Sequence, residues 1–178
     1  LKEKAVSNDS KSILAGVLKA LDDNAVRLDK IVIHKFMYFL NTQGFNTGFR
    51  FEPYTYGPFS FDLANAIGAM DFWDAVKEKR YSVEIVDIDE FDTMNQEGKQ
   101  RIEEFLRTFQ SAVGDFTFKN LECAGTILYC AETLGMRDKP INQKTVEEEF
   151  RGWKGERYTS AEISDMFSRL EPYLKRIQ

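Results

Sequence analysis

Apolar residues recur along most of this chain at the three-and-four spacing of an amphipathic helix, and only two short stretches read as extended. Ile13, Leu14, Val17, Leu18 and Leu21 predict a helix over 10–22 with one buried face, after a frayed terminus over 1–9. A second helix, over 28–41, is apolar almost all round. Ile33, Phe36, Met37 and Leu40 form its stripe, and Val32 and Phe39 widen it. A helix with so little polar surface belongs at the centre of a core. Gln43-Gly44 ends it.

Residues 49–56 are aromatic and extended in character, and Pro53 suits an edge or irregular strand. Gly57-Pro58 reads as the turn that follows. Ser60 is a candidate N-cap for a helix to about Met70, with Leu63, Ala64 and Ile67 facing inward. Tyr81, Val83 and Ile85 alternate within a β-rich stretch over 81–88, which forms a hairpin with Lys77–Arg80. Asn95 caps a helix striped by Ile102, Phe105, Leu106, Phe109 and Val113. A further helix covers 119–135. Two capping boxes are expected, Thr145 with Glu148 and Thr159 with Glu162. The stripe Ile163, Met166, Phe167, Leu170 and Leu174 follows the second, and Pro172 is expected to kink or end that helix.

The order helix–helix–strand–helix–hairpin is that of a winged helix. The expected fold is therefore mainly α with a small β wing. A winged-helix-like part over 1–95 carries a helical extension over 96–178, the two packing as one domain. The 178 residues suffice for one core, and 43% hydrophobic with 30% charged residues is ordinary for a globular chain. The 15 phenylalanines point to a core dominated by aromatic packing.

No apolar run reaches the roughly 20 residues that span a bilayer, and the start lacks a secretory apolar segment. The first residue is Leu1 rather than Met, which leaves room for native residues upstream. Cys123 and Cys130 would stand roughly 10 Å apart along one helix, too far for a disulfide. They read as buried free thiols in a reducing compartment, so a cytoplasmic location is expected.

Three segments carry a resemblance: His34-Lys35-Phe36-Met37-Tyr38-Phe39-Leu40, Phe51-Glu52-Pro53-Tyr54-Thr55-Tyr56-Gly57-Pro58-Phe59-Ser60, and Asn95-Gln96-Glu97-Gly98. Together they resemble the YwgA-like family of small prokaryotic winged-helix-like proteins. More distantly they are similar to Panacea-type antitoxin domains. Trp153-Lys154-Gly155-Glu156-Arg157-Tyr158-Thr159 also fits that pattern. The resemblance covers most of the chain and implies the fold; it supplies no activity. The expected function is a non-enzymatic protein-interaction or regulatory module, antitoxin- or defence-related.

Residue chemistry points the same way. The single histidine, His34, excludes multi-His metal sites and common His-based catalysis, and reads as a packed core residue. No phosphate-loop, dinucleotide, zinc-protease or hydrolase motif is present. Glu147-Glu148-Glu149 does not converge on a helix and reads as a solvated face. No catalytic residue, metal or cofactor is expected.

The aromatic junction is the most distinctive feature. Two residues apart on an extended backbone, Tyr54 and Tyr56 would share a face. They either cover the core helix, with their hydroxyls hydrogen-bonded, or form, with Phe59 and Asp62, a contact surface for another protein. DNA is the alternative partner. Net charge is −5, and the span from Phe51 to Val76 holds Glu52, Asp62, Asp71 and Asp74 but no Lys or Arg. A groove-reading helix there would lack the usual cations. DNA contact would fall to Lys77, Lys79 and Arg80 on the wing, or to Lys154 and Arg157. Protein interaction ranks first, DNA binding second and an unrecognised enzyme third.

Overall fold

The computed structural model describes residues 2–177. Its centre is helix α2 (Lys30–Thr42), in which the nine consecutive residues from Val32 to Leu40 are all buried. Such a helix must be covered on every side. Its main partner is α5 (Phe118–Met136), itself buried without a break from Leu121 to Leu128. Helix α1 (Lys2–Asp23) and α4 (Gln96–Val113) pack together and cover further sides of α2. Helices α6 (Gln143–Lys154) and α7 (Ser160–Leu174) pack against α5. Phe39 and Phe109 lie 4.8 Å apart, with Phe36, Phe116 and Tyr173 around them, so residues from both halves of the chain share one core.

Two small antiparallel sheets lie around α3 (Phe61–Phe72). Strands β1 (Glu52–Tyr54) and β2 (Gly57–Phe59) form a hairpin that precedes it. Their register sets Pro53 opposite Pro58, neither of which has an N–H to donate, and Tyr54 opposite Gly57. Thr55-Tyr56 is the two-residue turn. Gly57 follows it at φ +101°, a conformation open to glycine. Strands β3 (Val76–Glu78) and β4 (Val83–Ile85) form the second hairpin. Residues 28–30, between α1 and α2, run antiparallel along it. Lys30 N–H donates to Tyr81 O at 2.8 Å, and Val83 N–H donates to Leu28 O at 2.9 Å.

Gly125 sets how closely the hairpin and α2 approach α5. A methyl group there would stand 3.0 Å from Lys35 Cδ and 3.3 Å from Pro58 Cδ. The ammonium of Lys35 donates to the Pro58 carbonyl at 2.9 Å, which ties α2 to β2 across the same gap.

Several expectations need correction. Helix α1 begins at Lys2, not at residue 10; Lys, Glu and Ala are good helix formers, and Leu1 lies outside the described residues. Gly57-Pro58 is strand, not turn, so two strands precede α3 where one was expected. The cap of α6 is Asn142, whose side chain accepts the Thr145 N–H at 3.0 Å while the Thr145 hydroxyl closes the box. Thr145 is thus the third residue of the helix and not its cap, because the asparagine amide makes the better N-terminal acceptor. Pro172 lies within α7, which continues to Leu174 and then tightens to a 3-10 turn over Lys175–Ile177. The caps at Ser60, Asn95 and Thr159 are as the sequence predicts, and a hairpin forms where one was expected, with strands at Val76–Glu78 and Val83–Ile85 rather than over 77–80 and 81–88.

Gly125→Ala should destabilise the fold by about 1–3 kcal/mol, as overpacking does in close-packed interiors. Urea unfolding measures it. An unchanged midpoint would show that Lys35 and Pro58 yield freely.

Candidate functional site

The described surface carries large exposed aromatics concentrated around the first hairpin. Tyr54 is 51% exposed, Tyr56 50%, Phe61 49% and Phe118 44%. Farther along, Phe72 and Trp73 at the end of α3, and Tyr81 at the turn of the second hairpin, are more exposed still. Tyr54 and Tyr56 do not share a face, because the turn begins directly after Tyr54. Tyr54 packs with Phe59 and Phe61, at 5.2 and 5.6 Å between centroids, whereas Tyr56 packs edge-on to Phe118 at 5.0 Å. Neither ring is sealed over the core helix, and neither hydroxyl makes a hydrogen bond within the described residues. Phe59 stacks on His34 at 4.3 Å and is only half-buried. Asp62 lies in the first turn of α3, paired with Arg50 at 3.4 Å.

Beneath the hairpin lie two buried charges. Lys35 is 3% exposed and Glu122 is fully buried. Glu122 accepts from the Tyr158 hydroxyl at 2.6 Å and pairs with Arg157 at 3.3 Å and Lys154 at 3.6 Å. Lys154 also donates to the Thr55 carbonyl at 2.9 Å, so this cluster holds the hairpin tip. Burial, with the nearby Arg157 charge, holds the Lys154 ammonium below its usual range, against the pull of Glu122. Burial raises the Tyr158 hydroxyl above its ordinary value, with the hydrogen bond and charge of Glu122 adding to it. Lys35 has no carboxylate within ion-pair distance among the described residues. Burial lowers it to about 8, partly offset by Glu122 and reinforced by Lys154.

On the Tyr56 side of the hairpin, a cavity of about 600 Å³ reaches His34 and Lys35. His34 is lowered to about 3 by burial and then by the positive charges of Lys35 and Lys30. It is therefore neutral at physiological pH, and its Nδ1 accepts the Ser60 N–H at 3.4 Å. On the other side, a groove lies between Pro53, Tyr54, Tyr129 and Trp153. The thiols of Cys123 and Cys130 are free and buried, and burial pushes both up to about 12. Neither is a ready nucleophile.

The expected nucleic-acid contacts do not converge. Lys77, Lys79 and Arg80 lie exposed on the second hairpin, but Lys79 is paired with Glu84 and Arg80 lies over the Tyr81 ring. Lys154 is turned inward with a side chain only 4% exposed, because Glu122 would otherwise be a buried charge without a counterion. Arg157 is half-exposed and leans over Tyr56. The structure adds Lys35, Glu122, Tyr81 and Phe118 to this region, none of which the sequence reading placed in the site. A lysine amid Ile33, Phe36 and Met37 and a glutamate amid Leu121, Cys123 and Ala124 were the available signals, since charges seldom sit inside apolar runs.

Among the described residues, no group of three or more His, Cys, Asp or Glu could hold a metal ion, and no helix is long and apolar enough to cross a membrane. In comparisons with known proteins, the chain matches no family model and no curated protein.

Glu122→Ala should cost about 3–5 kcal/mol, because it strands buried cations. Arg157→Ala should cost about 1 kcal/mol or less, since that partner is half-exposed. Denaturant unfolding of both variants compares them, and equal losses would show that solvent screens the whole cluster.

Acid should destabilise the protein through His34. Unfolded, the imidazole regains its ordinary value of 6.5 and takes up a proton that the folded chain accepts only near pH 3. Stability is thus fully present above pH 6.5 and falls between 6.5 and 3, by up to about 1.4 kcal/mol per pH unit. His34→Gln should flatten that slope in urea midpoints taken from pH 7 to 4; an unaltered slope would place the acid sensitivity elsewhere.

Proposed function

We propose that this chain is a non-enzymatic protein-interaction module of winged-helix type. Its partner surface is the aromatic hairpin and the start of α3. One observation carries the proposal: Tyr54 on the hairpin and Phe61 at the start of α3 pack together yet stay about half-exposed, and Tyr56 is half-exposed at the turn of the same hairpin, which buried charge ties down. Soluble chains rarely leave aromatic side chains grouped at a surface without use, and Tyr and Trp anchors dominate binding hot spots. Anchoring the hairpin in advance reduces the ordering cost of association. Asp62 and Arg50 supply a polar rim.

The winged-helix assignment draws support from residues 28–30. This segment, ahead of α2, pairs with the second hairpin through a single bridge from Asp29 to Ser82, at the place where a winged helix pairs its first strand with the wing. The β1–β2 hairpin is then an insertion before the helix that would enter a DNA groove. That helix, α3, offers Phe61, Asn65, Phe72 and Trp73 as its exposed side chains. The cations near it are largely neutralised, as in Lys30 with Glu78, Lys79 with Glu84 and Arg50 with Asp62. Few phosphates could be neutralised by such a face, which places DNA second to protein. An antitoxin-like or defence-associated partner is the form the sequence resemblance suggests, and the buried thiols suit a reducing, cytoplasmic setting.

The test is affinity capture from the native host with the wild-type chain and with a Tyr54→Ser/Tyr56→Ser/Phe61→Ser variant, both verified as folded by circular dichroism. A partner held by the wild type and lost by the variant supports the surface; equal retention removes it. In a mobility-shift assay at near-physiological salt, mixed-sequence duplex should not bind below micromolar concentration. Submicromolar binding abolished by reversing Lys77, Lys79 and Arg80 would favour the DNA alternative.

A further inference from the structure

The cavity on the Tyr56 side of the hairpin has a lining that selects by charge. Its walls are rings: Tyr56, Phe59, Tyr81 and Phe118. Its charged lining is cationic except for Asp29, and Arg27 already holds that carboxylate through two hydrogen bonds of 2.8 and 2.9 Å. Lys30 is likewise paired with Glu78 at 2.8 Å. Two cations remain without a carboxylate partner among the described residues, Lys35 in the floor and Arg80 at the rim. Lys35 donates one hydrogen bond, to the Pro58 carbonyl, although an ammonium has three donors. A methyl group at Gly57 would meet both the Lys35 ammonium, at 3.4 Å, and the Thr126 hydroxyl, at 3.6 Å, and that hydroxyl is buried without any partner among the described residues.

We infer that this cavity is a binding site for a small aryl carboxylate, the flat ring held among Tyr56, Tyr81 and Phe118 and the anionic group neutralised by Lys35 and Arg80. A volume of about 600 Å³ accommodates such a molecule. The absence of a free carboxylate from the lining disfavours amines and zwitterions, whose cation would meet only other cations. His34 reports the same field, since the neighbouring Lys35 and Lys30 add to burial in keeping it neutral. The site goes beyond the protein-partner proposal, because Lys35, Arg80, Tyr81 and Phe118 lie outside the Tyr54–Phe61 surface.

The probes are 2-naphthoate, its neutral amide 2-naphthamide, and 2-naphthylmethylammonium. They are titrated into the full chain by calorimetry and by amide chemical-shift mapping. Naphthoate should bind saturably, at least about tenfold more tightly than the amide, with the ammonium weakest. Its shifts should cluster on residues around Tyr56, Tyr81 and Phe118. Lys35→Met should weaken naphthoate about tenfold or more, and Arg80→Glu and Phe118→Ala should each weaken it several-fold. The last two alter exposed side chains, so they decide the matter even if Lys35→Met does not fold. Met136→Ala, on an exposed residue away from the cavity, should change nothing. Equal affinity for acid and amide, shifts mapping elsewhere, unaltered binding by Arg80→Glu and Phe118→Ala, or no saturation by about 5 mM would each overturn the site.

Discussion

The whole arrangement depends on a helix that has no face to give to water. From Val32 to Leu40, α2 presents no exposed side chain, so covering it takes more than the segments beside it in the chain. Helix α5 meets that demand and makes the same demand in return, being buried from Leu121 to Leu128. Each supplies the apolar surface that the other needs, which is why the core runs without interruption across residue 95. The close approach is permitted by Gly125, where even one methyl group would crowd Lys35 and Pro58.

Two charges are enclosed as a consequence, and they are handled differently. Glu122 is surrounded by Lys154, Arg157 and Tyr158, all from the end of α6 and the loop after it. Lys35 finds no carboxylate and uses a backbone carbonyl of β2 instead. Removing one partner from a buried ion pair is costly, so the Glu122 cluster fixes the loop before α7 and, through Lys154, the tip of the first hairpin. The hairpin is thus held from below by polar contacts while its aromatic side chains stay outside. That combination of rigid backbone and half-exposed rings distinguishes it from an ordinary surface loop.

The same geometry separates two surfaces that the sequence presents as one. Tyr54 leans toward Phe59 and Phe61, and Tyr56 toward Phe118. Phe59, stacked on His34, stands between them. One side continues onto α3 and suits a broad macromolecular contact. The other descends into a cationic cavity suited to a compact anion. The second hairpin contributes to the cavity through Arg80 and Tyr81, and its Lys79 is paired with Glu84, so these two basic residues are directed at the cavity or at an acidic neighbour.

The sequence by itself determined the helices, most of their caps and the identity of the core. Stripes such as Ile102, Leu106, Phe109 and Val113 follow from the period of the helix, and capping at Ser60, Asn95 and Thr159 is a matter of side-chain reach over three residues. These are local rules, so local residues suffice to read them. At Thr145 the local pattern misleads, because Asn142, three residues earlier, is the better acceptor and takes the cap. Tertiary structure alone decided the rest. Whether Tyr54 and Tyr56 share a face depended on where the hairpin turned, and Lys154 faces inward because Glu122, far away in sequence, requires a counterion. Lys35 and Phe118 meet at one cavity only because α2 and α5 must bury each other. Such juxtapositions arise from long-range packing, which periodicity along a single chain does not encode.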